Sequence, residues 1–263
     1  MEEMKTSEKK IVCIVQARMS SSRLPEKMMK PLAGKPNLEQ VFRQLSFSKK
    51  INEYILATSV DLTDDILFQW AKGFNIKCFR GSLDDVLDRF YQAAKNSKAD
   101  ILIRVTGDCP LIDPKIIDNV IDLHLINKFD YTSNVDPPTF PDGYDVEVFN
   151  FESLEKAWKN ANLNSEREHV TPYIRNHKEI FNIGNYESDK NLEHIRLTLD
   201  NEEDYELISL IYEKLYDEKS YISLDKLLNF LSENSKVLDV NKHIQRNLGY
   251  TKSLELDKKL KNE

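Results

Sequence analysis

Short β-branched runs alternate with segments of helical period along this chain, and that alternation constrains the fold more than any other feature. The runs are Ile11–Val15, Tyr54–Thr58, Ile76–Phe79, Ile101–Val105, Tyr131–Ser133, Asp145–Phe149 and Ile195–Leu199. Between them, Leu38, Val41, Phe42 and Leu45 fall at i, i+3, i+4 and i+7, and Val86, Leu87, Phe90, Tyr91 and Ala94 repeat such a stripe after Asp84. Near-continuous apolar strands separated by amphipathic helices form βαβ units, so the expected fold is α/β with a mostly parallel central sheet flanked by helices. Asp113 followed by Pro114 reads as a helix start, and "SERE" from Ser165 reads as a capping box. Asn201 reads as a cap with Glu202 and Glu203 in the first turn, opening the first of two helices.

With 263 residues, 40% of them hydrophobic, the chain can bury a sizeable core. The expected division is a flexible segment over 1–10, one domain over 11–233 and a polar tail over 234–263. A net charge of -7 argues against a general nucleic-acid or membrane-surface binder, so any polyanion site must be local. Cys13, Cys78 and Cys109 are too far apart for a CxxC or zinc pattern, which suggests reduced thiols. The N-terminus lacks the apolar core of a signal peptide, and no stretch approaches the roughly 18 apolar residues of a membrane span. A cytoplasmic, soluble protein is expected.

Three stretches could carry chemistry. "ARMSSSRLPEK" follows the first strand, where open α/β sheets commonly bind phosphate. It matches neither GxxxxGK[ST] nor GxGxxG. In place of glycines it brings Arg18, Arg23 and Lys27, two guanidinium forks and an ammonium suited to a triphosphate. A solvated basic loop would look the same. "RVTGDCPLID" ends the fourth strand, and the Gly107-Asp108 pair could turn the backbone and point a carboxylate at a Mg²⁺ ion; a turn cap is the other reading. "RLTLDNEED" puts Asp200 at a further strand end, with the neighbouring acids complementing a helix dipole. Val135–Gly143, with three prolines and a glycine, reads as a long loop of functional character.

"QARMSSSRLPEKMMKPLAGKP" resembles the N-terminal signature of the cytidylyltransferases that make CMP-activated sugars, and the SpsF-type branch in particular. "FRGSLDDVLDRFYQAA", "RVTGDCPLIDP", "DGYDVEVF", "REHVTPYI" and "RLTLDNEEDYELI" resemble that branch in the same order. The resemblance implies a Rossmann-like, GT-A-like nucleotidyltransferase using CTP and Mg²⁺. Arg18, Arg23 and Lys27 would hold the triphosphate, with Gln16, Ala17 and Ser22 in the same segment. Thr58, Arg80, Ser82 and Thr106 would complete the nucleotide site; relatives often carry Gln where Thr106 stands. Asp108 and Asp200 would bind the metal, so that Arg18, Lys27, Asp108 and Asp200 form the catalytic set.

Tyr144, Asp145, Glu147, Arg167 and His169 would face the acceptor, within an acceptor and dimerisation insertion around 134–180. A lone histidine such as His169 is as readily structural. The implied partners are CTP, a small acidic or phosphorylated acceptor and a second copy of the chain, with neither nucleic acid nor membrane. The implied reaction is attack of an acceptor oxygen on the α-phosphorus of CTP, with Asp108 or Asp145 helping to remove a hydroxyl proton. A GT-A glycosyltransferase would share the sheet but usually carries an Asp-x-Asp motif, which is missing. A non-catalytic nucleotide binder would tolerate loss of Lys27 or either aspartate, yet all three are present.

Overall fold

The structure, a computed structural model, describes residues 9–260. Its strands are β1 (Ile11–Gln16), β2 (Pro31–Leu32), β3 (Lys35–Pro36), β4 (Glu53–Ser59), β5 (Lys77–Gly81), β6 (Ile101–Thr106), β7 (Tyr131–Ser133), β8 (Glu147–Asn150) and β9 (Ile183–Asn185). Seven of them form one sheet in the order β5-β4-β1-β6-β8-β7-β9, while β2 and β3 make a small hairpin. Strands β5, β4, β1 and β6 run parallel, and β8 enters antiparallel between β6 and β7. The expected mostly parallel α/β sheet is therefore present.

The helices are α1 (Asn37–Leu45), α2 (Asp65–Gly73), α3 (Val86–Ser97), α4 (Pro114–Asn127), α5 (Phe151–Asn160), α6 (Asn164–His169), α7 (Pro172–Asn176), α8 (Glu202–Leu215), α9 (Leu224–Glu233) and α10 (Leu248–Leu260). Strand β1 shows how they are layered. Ile11, Cys13 and Val15 pack on the face covered by α1, α2, α4, α8 and α9, whereas Val12 and Ile14 pack on the face covered by α3, α5 and α7. The period of two in a strand buried on both sides thus feeds two cores at once.

Four local expectations change. Ile195–Leu199 is extended but is no strand of the sheet: its one bridge pairs Arg196 with Asp142, and Leu197 and Leu199 donate to the carbonyls of Asp142 and Asp108 at 2.7 and 2.8 Å. The segment finds its hydrogen bonds in loops, not in a ladder. Strand β9 was not anticipated, because three residues containing Gly184 carry little pattern. Ser165 lies inside α6; it is Glu166 that reaches back, accepting from the Leu163 N–H at 3.1 Å. Of the expected polar tail over 234–263, residues 234–260 hold a 3₁₀ turn and helix α10, which packs on α6, and 261–263 lie outside the described residues. Of the expected flexible segment, residues 1–8 lie outside the described residues, and Lys10 is held by Glu53 at 2.7 Å and by the Ser97 carbonyl at 2.6 Å.

Candidate active site

The carboxyl ends of β1 and β6 and the extended run before α8 meet at one point. The Leu199 N–H donates to the Asp108 carbonyl, and the Thr198 hydroxyl reaches the same oxygen at 3.3 Å. This cross-link seats Asp108 beside Asp200. Lys27, from the loop after β1, reaches both, with Nζ 2.9 Å from Asp108 Oδ2 and 2.7 Å from Asp200 Oδ1. Arg23 lies 3.0 Å from the second oxygen of Asp200, and the Thr106 hydroxyl donates to the second oxygen of Asp108.

The basic loop is fixed by its own apolar residues. Leu24 and Met28 are buried in the core, and the Met19 N–H donates to Asp64 Oδ1 at 2.7 Å. Gly107 serves this packing and not a left-handed turn. A Cβ there would stand 2.7 Å from the Met28 sulfur and 3.0 Å from Ala17 Cβ. The bonds of Asp200 follow from a buried fork: Arg196 donates to both oxygens of Asp204 at 2.9 Å and to Asp142 at 2.8 Å. Asp204 also accepts from the Asp200 and Asn201 N–H groups at 3.1 and 3.0 Å, closing the start of α8.

Burial works against the Lys27 charge, but Asp108 and Asp200 more than offset it and raise its pKa above the ordinary lysine range. For Asp108, burial opposes ionisation, yet Lys27 and the Thr106 hydroxyl hold its carboxyl at about 2. Lys27 is therefore a fixed cation at neutral pH, not a proton donor.

A cavity of about 610 Å³ opens over this triad. It gathers Gln16, Ala17, Arg18, Ser22, Arg23 and Lys27 from the first loop, Thr106 and Asp108 from the end of β6, and Asp200. On its far side it gathers Asp145, Glu147 and His169. The remaining expected site residues are held elsewhere. Thr58 is fully buried at the end of β4, outside the lining. Arg80 braces the turn after β4, pairing with Asp65 at 2.7 Å and donating to the carbonyls of Ser59 and Asp61. The Ser82 hydroxyl caps a turn by accepting from the Asp85 N–H. Tyr144 is fully buried in the core, and Arg167 is held by Asp85 and the Trp158 carbonyl.

Several lining residues escaped the sequence reading. Arg89, on α3, is 1% exposed and donates to the Ser82 carbonyl at 2.7 Å, while its Nε has no partner. Burial and then the nearby Arg18 lower its pKa to about 10. It sits between core positions of an amphipathic helix, and an arginine on an apolar face was the available signal. Asp142, Arg104 and Arg175 also line the cavity. Burial and then Asp145 raise Asp142 to about 7, and burial likewise raises Asp145. Glu147 stays low because Arg104 offsets its burial, whereas burial lowers His169 to about 4.

Residues 12–237 match the family model described as Cytidylyltransferase. The chain is 37% identical over 241 residues to the uncharacterised protein MJ1063 of Methanocaldococcus jannaschii, covering 90% of this chain and 96% of that protein. It is 35% identical over 231 residues to the spore coat polysaccharide biosynthesis protein SpsF of Bacillus subtilis, covering 85% of this chain and 95% of SpsF. A solved cytidylyltransferase structure from Leptospira borgpetersenii superposes with a TM-score of 0.83 at 33% identity, over 88% of this chain and 97% of that one. A Lys27–Asp108–Asp200 cluster at the carboxyl edge of a mostly parallel sheet, in a chain matched over that length, makes this enzyme a member of the cytidylyltransferase family, in its SpsF-type branch.

Proposed function

We propose that this cytidylyltransferase transfers CMP from CTP to a sugar, sugar acid or phosphate-bearing acceptor, releasing pyrophosphate, in the assembly of a surface polysaccharide. The observation that carries the reading is the Lys27 ammonium held between Asp108 and Asp200, with Arg18, Arg23 and Arg89 around the same cavity. Four cations in one cleft suit a triphosphate, and the spore-coat role printed for the SpsF relative supports the polysaccharide context.

In this mechanism an acceptor oxygen attacks the α-phosphorus. A new P–O bond forms, the bond from the α-phosphorus to its bridging oxygen breaks, and that electron pair leaves with pyrophosphate. Lys27, a permanent charge, and the guanidinium groups stabilise the oxygens on which charge accumulates. For a hydroxyl acceptor the proton passes to Asp145, a stronger base than Asp108 because burial raises the former while Lys27 and the Thr106 hydroxyl hold the latter at about 2.

The donors fit Mg²⁺. Asp108 and Asp200 bring their carboxylates together in one cavity, joined through the Lys27 ammonium. Among the described residues no cluster of three or more metal-binding side chains exists, so phosphate and water oxygens would fill the other positions, as Mg²⁺ prefers. Bound there, Mg²⁺ would neutralise charge on the triphosphate. The reading also includes a cytoplasmic location and an isologous dimer, with the Asp145 to His169 region near its interface; a monomer by sedimentation would remove that last part.

The test is pyrophosphate release from each of the four nucleoside triphosphates with a panel of acidic sugars, sugar phosphates and phosphonates. Release with CTP and at least one acceptor is expected. No CTP-dependent release and no CTP binding by calorimetry would sink the reading.

A further inference from the structure

The family match ends at residue 237, but the cavity does not end with it. Its far wall is built by later residues, among them Leu248, Tyr250, Lys252, Ser253 and Leu256. That segment is tied down at four places. Asn241, 1% exposed, donates to the Arg196 carbonyl at 3.1 Å and to Asp204 at 2.9 Å. Arg246 bonds to Asp145 and to the Phe140 carbonyl. Ser253 donates to Glu168 at 2.6 Å and shares a 3.0 Å bond with His169 Nε2. Asp257, buried, accepts from the Ser165 N–H in the first turn of α6 at 3.3 Å. A segment fixed in this way is a wall of the site.

The chemistry of that wall is specific. Its carboxylates are engaged: Glu147 by Arg104, Tyr131 and Thr171, Asp145 by Arg246, and Glu168 by Ser253. Two of its cations are not. Neither Arg175 nor Lys252 has a carboxylate partner among the described residues, and the Arg175 Nε has no hydrogen-bond partner. Arg175 lies over the Tyr250 ring at 5.4 Å, and His169 meets the same ring edge-on at 5.1 Å. Leu256, 54% exposed, adds apolar surface to the same lining. An aromatic ring in contact with Arg175, with Lys252 and an apolar side chain in the same lining and neither cation paired to a carboxylate, suits a ring with an apolar C–H face and a negative group.

We propose that residues 241–260 form the acceptor-selecting wall of this enzyme, where Tyr250, Lys252 and Arg175 seat the ring and the anionic group, carboxylate or phosphate, of an acidic sugar. The role of that sugar as acceptor rests on the cytidylyl-transfer reading; its binding does not.

The experiment is calorimetric titration of the full-length protein with 3-deoxy-manno-octulosonate, glucuronate, glucose 1-phosphate and glucose, each with and without CTP. At least one anionic sugar is expected to bind, with glucose at least tenfold weaker, and the carboxylate and phosphate arms tell which anion is preferred. Lys252→Ala and Tyr250→Ala should each weaken that binding fivefold or more. Tyr250→Phe should change it less than twofold, Lys259→Ala not at all, and the CTP Kd should stay within twofold throughout. The proposal is overturned if no anionic sugar binds the wild-type protein, or if neither Lys252→Ala nor Tyr250→Ala weakens binding. Failure of CTP to bind removes the nucleotide reading alone, because the titrations without CTP still report on the wall.

Discussion

Lys27 is the residue on which the site turns. Among the described residues its ammonium is the one side-chain group that pairs with both strand-end aspartates, whose carboxylates it brings together at 2.9 and 2.7 Å. Lys27→Met should therefore lower kcat/KM for CTP by about 10²–10³, the loss seen when one donor to developing charge is removed. Pyrophosphate release measures it, and a loss under tenfold would place the essential charge on Arg18, Arg23 or Arg89 instead. That Lys27, Asp108 and Asp200 were candidates for one site was legible in the sequence: Asp108 and Asp200 stand just beyond apolar runs, and Lys27 lies in the basic loop that follows the first strand. Arg89 was not, since its helix reads as core and only the fold shows that its head reaches the cavity. Arg80 misled for the converse reason: it also ends a strand, but the turn after β4 offers two carbonyls and Asp65, which hold it there.

At the level of elements, the run Ile195–Leu199 joins the site to the proline-rich loop. Gly143 makes that contact possible: its φ is +100°, and a Cβ would stand 2.6 Å from the backbone of Leu197. Gly143→Ala should cost about 3 kcal/mol or more, because left-handed strain and a backbone clash add. Gly107→Ala should cost about 1 kcal/mol, since the Met28 side chain can give way. Urea unfolding of the two variants gives the order, and equal losses would mean that the 143–197 contact is dispensable. The strands buried on both faces, β1, β4 and β6, were legible from their apolar runs alone. Ile195–Leu199 reads the same way, yet its hydrogen-bond partners lie at Asp142 and Asp108, which no local pattern encodes. Helix α10 was hidden by its lysine-rich composition, since its docking depends on Ser253 and Asp257 and not on an apolar stripe.

Across the whole molecule, pH acts through histidines kept neutral. Burial lowers both His124 and His169 to about 4 from an ordinary 6.5. Between those values the unfolded chain binds protons that the folded chain refuses, so these two groups make stability fall as pH drops from about 6.5 to 4. Asp142, raised to about 7 from an ordinary 3.8, acts in the opposite direction across that whole range. The comparison with His124→Gln isolates one proton: the difference in unfolding free energy between the two proteins should change by up to about 1.4 kcal/mol per pH unit there. A difference that does not vary with pH would show that His124 titrates normally. The lysine between the two aspartates has a consequence on this scale as well. Because the site carries its own counter-ion in Lys27, protein treated with EDTA should still unfold cooperatively, and Mg²⁺ should raise its melting temperature only by the mass-action contribution of binding to the folded state. Folding and loading are then separate events, and in the proposed mechanism the divalent cation bears on turnover and not on whether the chain reaches its fold.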